Sequence, residues 1–314
     1  MCEQRSVARC VVVVGVVAAL SVVLAGCGAD APGGSGAAAP DGGDDVLTVG
    51  AIPDQDPQEL QRRYGTVADY LADEVGVEVR FEPVTDYTAS VTAFRRGDLD
   101  LVFYGGLTGV QAREQVPDAR AIAQRDIDAE FRSVFITNTG AGVDPIADVS
   151  ELDALAGKTF TFGSDVSTSG RLMPQFYLSE AGVDPADFDG QVGFSGSHDT
   201  TAKVVEAGSY QAGALSASVW DERVEAGEVD TTKVREVFRT PTYYDYHWVI
   251  RPDVDERLGD GTAAKVEDAL LGLDRSDPRQ RQVLELFQAE EFIPTKPENY
   301  RLIEQVAREA GLVE

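Results

Sequence analysis

The chain has 314 residues, 43% of them hydrophobic and 26% charged, enough for a sizeable core and on length alone for about two domains. Its formal net charge of −27 would repel nucleic acid and anionic membrane surfaces, so neither is expected as a partner. An anion site in such a chain must be built from local donors.

The first 26 residues read as a processing signal: Arg5 and Arg9 precede an apolar run from Val11 to Val23, which ends at Leu24-Ala25-Gly26-Cys27. That tetrapeptide resembles the bacterial lipoprotein box, which implies cleavage before Cys27 and acylation of its thiol. Cys2 and Cys10 would leave with the signal, so no thiol remains for a disulfide, a metal or a nucleophile. The apolar run is short for a retained span. Residues 27–45, almost all Gly, Ala, Pro, Ser and Asp after the cysteine, read as a flexible tether reaching roughly 20 to 25 Å.

The fold is expected to start at Val46. Strand patterns over 46–53, 77–81 and 99–104 alternate with helical patterns over 59–74 and 87–96, the signature of a parallel sheet with crossover helices. Phe131 to Thr137 reads as another strand, followed by a glycine-containing break. A second series then runs through a strand at 158–162, a helix at 171–181, a strand at 191–194, a helix at 199–206 and a strand at 212–215. A strand at 247–251 and two helices at 261–274 and 277–287 close the chain and should pack back on the first half. The expected division is thus 46–137 plus 245–314 as one lobe and 138–244 as the other, two α/β halves joined near residues 137–145.

Ligands of open α/β sheets bind at the carboxyl ends of strands. The turn Gly163-Ser164-Asp165-Val166-Ser167-Thr168-Ser169-Gly170 lies between a strand and a helix and offers three hydroxyls at the positive end of a helix dipole. It can cradle an oxyanion; it can equally be a Ser/Thr-rich helix cap with no ligand. Ser195-Gly196-Ser197-His198-Asp199 occupies a similar turn, where His198 can donate to an anion and Asp199 can orient the ring, accept a ligand proton or simply cap the helix. Tyr87 and Tyr104 sit at loop positions of the first half, as ligand contacts or as packing. Asp245 lies in an aromatic run, Tyr243 to Trp248, that lines the cleft or forms a half-buried strand.

Several chemistries are disfavoured. No Gly-Lys-Ser/Thr phosphate loop is present, Gly193-Phe194-Ser195-Gly196-Ser197 lacks the last glycine of a nucleophile elbow, and two histidines without a cysteine cluster make a zinc centre unexpected. No catalytic residues, metal or cofactor are expected.

Taken together, Thr85-Asp86-Tyr87, Asp100 to Gly105, Ser167-Thr168-Ser169-Gly170 with Leu172 and Pro174, Gly196 with His198-Asp199, and Ala212-Gly213-Ala214 resemble the phosphonate, phosphite and phosphate-ester binding proteins of ABC importers. The resemblance implies a two-lobed type II periplasmic-binding-protein fold of class α/β, each lobe a mixed sheet flanked by helices. It implies that Ser167, Thr168 and Ser169 hold an anionic head, that His198 donates to it and that Tyr87 closes from the other lobe. Phe131 falls where some relatives have a ligand-contacting tyrosine. Ser218 falls where relatives that take aminoalkyl phosphonates meet the amine with an acid. Ala51-Ile52-Pro53-Asp54, Glu59-Leu60-Gln61-Arg62 and Gly105-Gly106-Leu107-Thr108 are most similar to a branch associated with selenate transport. The implied partners are a small oxyanion and an ABC permease with its ATPase. The implied place is the outer face of the cytoplasmic membrane, with a monomer held by lipid alone. A ligand-sensing lipoprotein and an enzyme on the same fold remain the rival readings.

Overall fold

A computed structural model describes residues 46–313. The expected signal peptide, Cys27 and tether lie outside those residues. Strand β1 (Val46–Ala51) is almost wholly buried and leads to helix α1 (Pro57–Val75). Asp56 starts α1 by accepting from the Gln58 N–H, Pro57 fits the first turn, and Gly76 at φ 81° ends it in a left-handed geometry. The same devices bound α2 (Tyr87–Arg96), which Asp86 caps and Gly97 terminates, after β2 (Glu78–Phe81). Next come β3 (Leu101–Tyr104), α3 (Gly106–Gln115) and β4 (Arg120–Arg125).

The chain crosses to a second sheet through residues 126–132. There β5 (Ser133–Asn138), β6 (Phe160–Phe162), α4 (Met173–Glu180), β7 (Gly193–Phe194), α5 (His198–Glu206), β8 (Ala212–Ser216), α6 (Ala217–Glu225) and β9 (Val234–Arg239) follow in order. Residues 240–246 return to β10 (His247–Ile250), α7 (Val254–Leu258), α8 (Thr262–Leu271), α9 (Pro278–Leu286), β11 (Phe292–Pro294) and α10 (Arg301–Glu309). The two crossings touch in an antiparallel bridge between Phe131 and Tyr243.

The first sheet has the order β11-β4-β10-β3-β1-β2 and the second β7-β6-β8-β5-β9. Both are mixed. In the first, β1 is parallel to β2 and β3, while β10 runs antiparallel between β3 and β4. The late helices α8 and α9 cover α1, and α10 covers α3, so the C-terminal helices do return to the first half.

The expected boundary at residue 137 is corrected. Residues 133–138 pair with β8 and β9 and so belong to the second sheet. Neither α3 nor β4 has a strong pattern in the sequence: α3 is buried on nearly every side at its start, and the short β4 (RAIAQR) is bounded by charged residues. Without a pattern for them the strand at 133 reads as part of the half before it, and the crossing at 126–132 lies about ten residues before the expected joint.

Candidate functional site

The loop after β6 is folded tightly on itself. The Gly163 N–H donates to the Gly170 carbonyl at 2.8 Å. A Cβ at Gly170 would stand 3.0 Å from Ser167 Oγ and 3.2 Å from His198 Cε1, so the close approach requires glycine there. Ser167 Oγ accepts from the Gly170 N–H at 3.0 Å and caps a helical run that begins at Thr168 and continues into α4. Thr168 Oγ1 accepts from the Leu107 N–H at 2.9 Å, and the Ser169 carbonyl accepts from the Ser133 hydroxyl at 2.7 Å. All three residues are buried. Leu107 belongs to the first turn of α3, so the Thr168 contact joins loops from the two sheets.

His198 opens α5 and is fully buried. Its Nδ1 accepts from the Ser216 N–H at 3.3 Å, which leaves the ring proton on Nε2, facing Tyr246 Oη at 3.2 Å. Burial pushes the imidazole down to about 4, against a weaker opposite pull from Asp199. His198 is therefore a neutral donor at physiological pH. Its backbone N–H donates to the Asp54 carbonyl at 2.9 Å, a second link between the sheets. Asp199 is placed differently from the expectation. One of its oxygens pairs with Arg223 at 2.9 Å, and Arg223 also meets Glu228 at 3.2 Å. The ring of His198 is oriented by Ser216 rather than by Asp199.

From the first sheet, Tyr87 at the start of α2 brings its hydroxyl beside that of Ser167. The phenol oxygen is buried and has no hydrogen-bond partner of normal geometry among the described residues. Burial holds its pKa well above 10, and the charges of Asp54 and Asp245 push the same way, so it remains a donor. Tyr104 does not join it. Its hydroxyl donates to the Ser90 carbonyl at 2.9 Å and its ring meets Phe94 edge-on at 5.9 Å, which makes it part of the core between β3 and α2.

Two carboxylates complete the cluster. Asp54, in the loop after β1, accepts from Tyr246 Oη at 2.8 Å through Oδ2, and its Oδ1 is buried without a partner. Asp245, in the return crossing, accepts from the Gly106 N–H at 2.8 Å through Oδ1 and is also bonded by Thr168; its Oδ2 is buried without a partner. Burial pushes Asp245 up to about 7, and it raises Asp54 against the pull of Arg63 and Tyr246. The charges of Asp54 and Asp245 both act on Tyr87 and on Tyr246, so these four groups lie near one another.

Beneath them the Arg125 guanidinium is held by both oxygens of Asp128 at 2.7 Å and lies 5.0 Å from the centre of the Tyr246 ring. Its charge is spent inside the floor. Phe131 packs edge-on against Tyr243 at 6.1 Å and Tyr246 at 5.4 Å. The cluster thus offers neutral donors, helix starts and two carboxylates. Among the described residues no group of three or more His, Cys, Asp or Glu is placed to hold a metal, and no helix is long and apolar enough to cross a membrane.

Asp54, Asp245 and Tyr246 carry little local signal in the sequence. Asp54 and the crossing at 245–246 lie at strand ends of the first sheet, which is the signal that marks them, but an acid beside an anion is favourable only where one of the two holds a proton.

Residues 49–300 match the family described as "ABC transporter, phosphonate, periplasmic substrate-binding protein". The chain is 43% identical over 269 residues to the "Probable ABC transporter phosphite binding protein PhnD1" of Prochlorococcus marinus (strain MIT 9301), covering 85% of this chain and 91% of that protein. It is 24% identical to the "Phosphate-import protein PhnD" of Mycolicibacterium smegmatis, over 71% of each. The structure of the Prochlorococcus protein in complex with methylphosphonate superposes with a TM-score of 0.85 at 42% identity, covering 86% of this chain and all of that one. A binding-protein component of an ABC phosphonate transporter from Pseudomonas aeruginosa, at 20% identity and TM-score 0.73 over 84% of this chain and 85% of that one, shares the fold.

Proposed function

We propose that this chain, which belongs to the family of periplasmic substrate-binding proteins of ABC phosphonate transporters, captures a small phosphorus oxyanion that carries a proton and a compact fourth substituent. Members of the family are transport components rather than enzymes, and the chain is the extracytoplasmic substrate-binding part of an ABC importer. The two sheets are its lobes, divided at 126–132 and 240–246, and closure about those crossings would present the loaded state to the permease.

The observation that carries the ligand reading is a group of buried, unpartnered oxygens near the two loops, Tyr87 Oη, Asp54 Oδ1 and Asp245 Oδ2, with Asp199 Oδ2 also lacking a partner. In the reading proposed, the oxyanion lies against the start of the helical run at Thr168, with Ser167, Tyr87 and His198 Nε2–H as donors. Asp245, at about 7, shares one proton with the ligand, so a monoanion against the carboxylate and a dianion against the acid are the same state. Asp245 and Asp54 join Asp199 as candidate acceptors, each with one buried oxygen that has no partner. Four such hydrogen bonds, at roughly 1.5 to 3 kcal/mol each, support about micromolar affinity after association costs.

The relatives' ligands point the same way: phosphite in the name of one, methylphosphonate in the complex of the same protein. Selenate and sulfate carry no proton at neutral pH, so only the protonated form of Asp245 can meet them, whereas phosphite and methylphosphonate can also bring the shared proton themselves; this favours a phosphorus anion over selenate. Lipid attachment through Cys27 is the proposed anchor, supported by Leu24-Ala25-Gly26-Cys27; a monomer and a separate permease and ATPase complete the proposal.

Calorimetry of the purified protein against phosphite, methylphosphonate, phosphate, sulfate and selenate tests the reading. Heat with phosphite or methylphosphonate and none with sulfate or selenate is expected. Binding of selenate in preference to every phosphorus anion would overturn it.

A further inference from the structure

Asp245 is held at three of its four polar atoms. Its N–H donates to the Asp128 carbonyl at 3.1 Å, its carbonyl faces His247 Nδ1 at 3.1 Å, and its Oδ1 accepts from the Gly106 N–H, which leaves only Oδ2 without a partner. The donor to the carbonyl is a fully buried imidazole, and Arg113 of α3 fixes its state: Arg113 Nη1 lies 2.5 Å from His247 Nε2. A guanidinium can only donate, so Nε2 must accept and the ring proton must sit on Nδ1, pointed at the Asp245 carbonyl. Burial and the Arg113 charge hold this imidazole well below 6.5, so it stays neutral. The chain's other histidine, His198, has the opposite tautomer, with its proton on Nε2 towards Tyr246.

The same ring seats α3. A Cβ at Gly109 would lie 2.3 Å from His247 Cε1, so the helix rests directly on the imidazole. At its first turn, a Cβ at Gly106 would meet the Tyr244 carbonyl at 3.4 Å and Ile303 Cγ1 at 3.3 Å, so the helix start has little room to shift. Tyr300 stacks on the His247 ring with centroids 3.9 Å apart, and Arg113 lies 5.2 Å from the same tyrosine ring.

We infer that His247 is a positioning residue for the oxyanion site: locked by Arg113 in the Nδ1–H form, it holds the Asp245 carbonyl and seats the start of α3, so that Asp245 meets the Gly106 N–H with one oxygen and the ligand with the other. The inference rests on the role given to Asp245 above. Loss of the ring should let Asp245 and the Gly106 N–H part. That bond favours the carboxylate, so its loss moves the Asp245 titration to higher pH, and an anion that needs the protonated acid then binds to higher pH. His247 is faced by Arg113 and Tyr300, with Glu114 and Glu304 acting on Arg113. Around Asp245 lie Asp128 and Arg125, which are paired with each other, and Tyr87, Tyr243 and Tyr246, whose phenols stay protonated well above 10. Burial also raises Asp54, and comparison with wild type at each pH cancels its titration.

Nitrogen-15 NMR of the purified wild-type protein at neutral pH should find His247 protonated on Nδ1 and bare on Nε2. Calorimetry with methylphosphonate at neutral pH, and with methanesulfonate across the Asp245 titration, then compares wild type, His247→Leu and His247→Asn, with thermal melting as the folding control. Leu lacks both ring contacts, whereas Asn places its amide nitrogen where the ring has Nδ1 and can still donate to the carbonyl. His247→Leu should bind methylphosphonate at least ~10-fold more weakly and raise the pH midpoint of methanesulfonate binding by about 1. His247→Asn should recover the wild-type midpoint and most of the affinity. An Nε2–H or doubly protonated His247 in wild type overturns the inference. So does a Leu variant whose midpoint is unchanged or lowered, or an Asn variant that behaves as Leu does, since a ring that only fills space would weaken binding along with melting temperature and leave the midpoint in place. If His247→Leu does not fold, His247→Ala replaces it; unfolding of both overturns the inference, because a ring that cannot be removed is core packing. The tautomer is measured without ligand, so its failure stands apart from failure of wild type to bind methylphosphonate, which overturns the oxyanion reading and this inference with it.

Discussion

Replacing Asp245 by Asn isolates the proton in the proposed site. Burial pushes the Asp245 carboxyl up to about 7 from its ordinary 3.8. A carboxyl whose folded pKa is raised binds its proton more tightly in the folded state. Its contribution to stability is intact below about 3.8, falls as pH rises towards 7 and stays lost above it. At ~1.4 kcal/mol per pH unit the full penalty is of order 4 kcal/mol, an upper bound that water entry would reduce. Asn keeps an oxygen for the Gly106 N–H but carries no charge. The variant should therefore be more stable than wild type by about 2 to 4 kcal/mol at pH 8 and by less than ~1 kcal/mol at pH 4 in urea unfolding. Comparing variant with wild type at each pH cancels opposing shifts elsewhere, such as His198, which is held neutral down to about 4 and costs stability in acid. Ligand choice should change in parallel. Methanesulfonate has the shape of methylphosphonate and no proton, so wild type should bind it better as pH falls through 7, whereas the Asn variant should bind it at least ~10-fold better than wild type at pH 8 and with little pH dependence. An equal stability difference at both pH values, or methanesulfonate binding that ignores the substitution, would refute the reasoning.

Other substitutions separate site from scaffold. Tyr87→Phe should weaken methylphosphonate binding about 10- to 100-fold in calorimetry, the loss of one hydrogen bond to a charged group, while Tyr104→Phe should leave affinity unchanged and cost ~1 kcal/mol of unfolding free energy through its bond to Ser90. Gly170→Ala should abolish binding while the fold survives in far-ultraviolet dichroism, because the added Cβ meets Ser167 Oγ at 3.0 Å and His198 Cε1 at 3.2 Å. Asp128→Ala should destabilise the protein by about 3 to 5 kcal/mol in urea melts, since it strands the buried Arg125 charge.

The parts of the fold most legible in the sequence are those with a local rule. Asp86 and Gly97 bracket α2 where the pattern placed it, and the alternation of 77–81 marks β2. The helical spread of Leu60, Tyr64, Val67 and Leu71 likewise marks α1. What escaped has its cause in tertiary contacts. Helix α3 shows no amphipathic stripe because its first turns are wrapped by His247, Tyr244, Ile303 and the Thr168 loop; a Cβ on Gly109 would lie 2.3 Å from the His247 ring. The site was half legible for the same reason. Ser167 to Ser169 and His198 announce themselves as strand-to-helix turns, and the structure buries them together. Asp54 and Asp245 do not, since nothing local says that burial will raise an acid into the range where it can meet an anion. Tyr104 goes the other way: its place after a strand suggests a ligand, and the partner the fold supplies is Ser90.

The most direct measurement is a crystal structure of the protein with methylphosphonate. The account predicts the phosphonate oxygens within hydrogen-bond distance of Tyr87 Oη, Ser167 Oγ, His198 Nε2 and Asp245 Oδ2, with the methyl group turned towards Phe131. A phosphonate lodged away from the Thr168 and His198 loops, or oxygens facing away from Asp245, would contradict it.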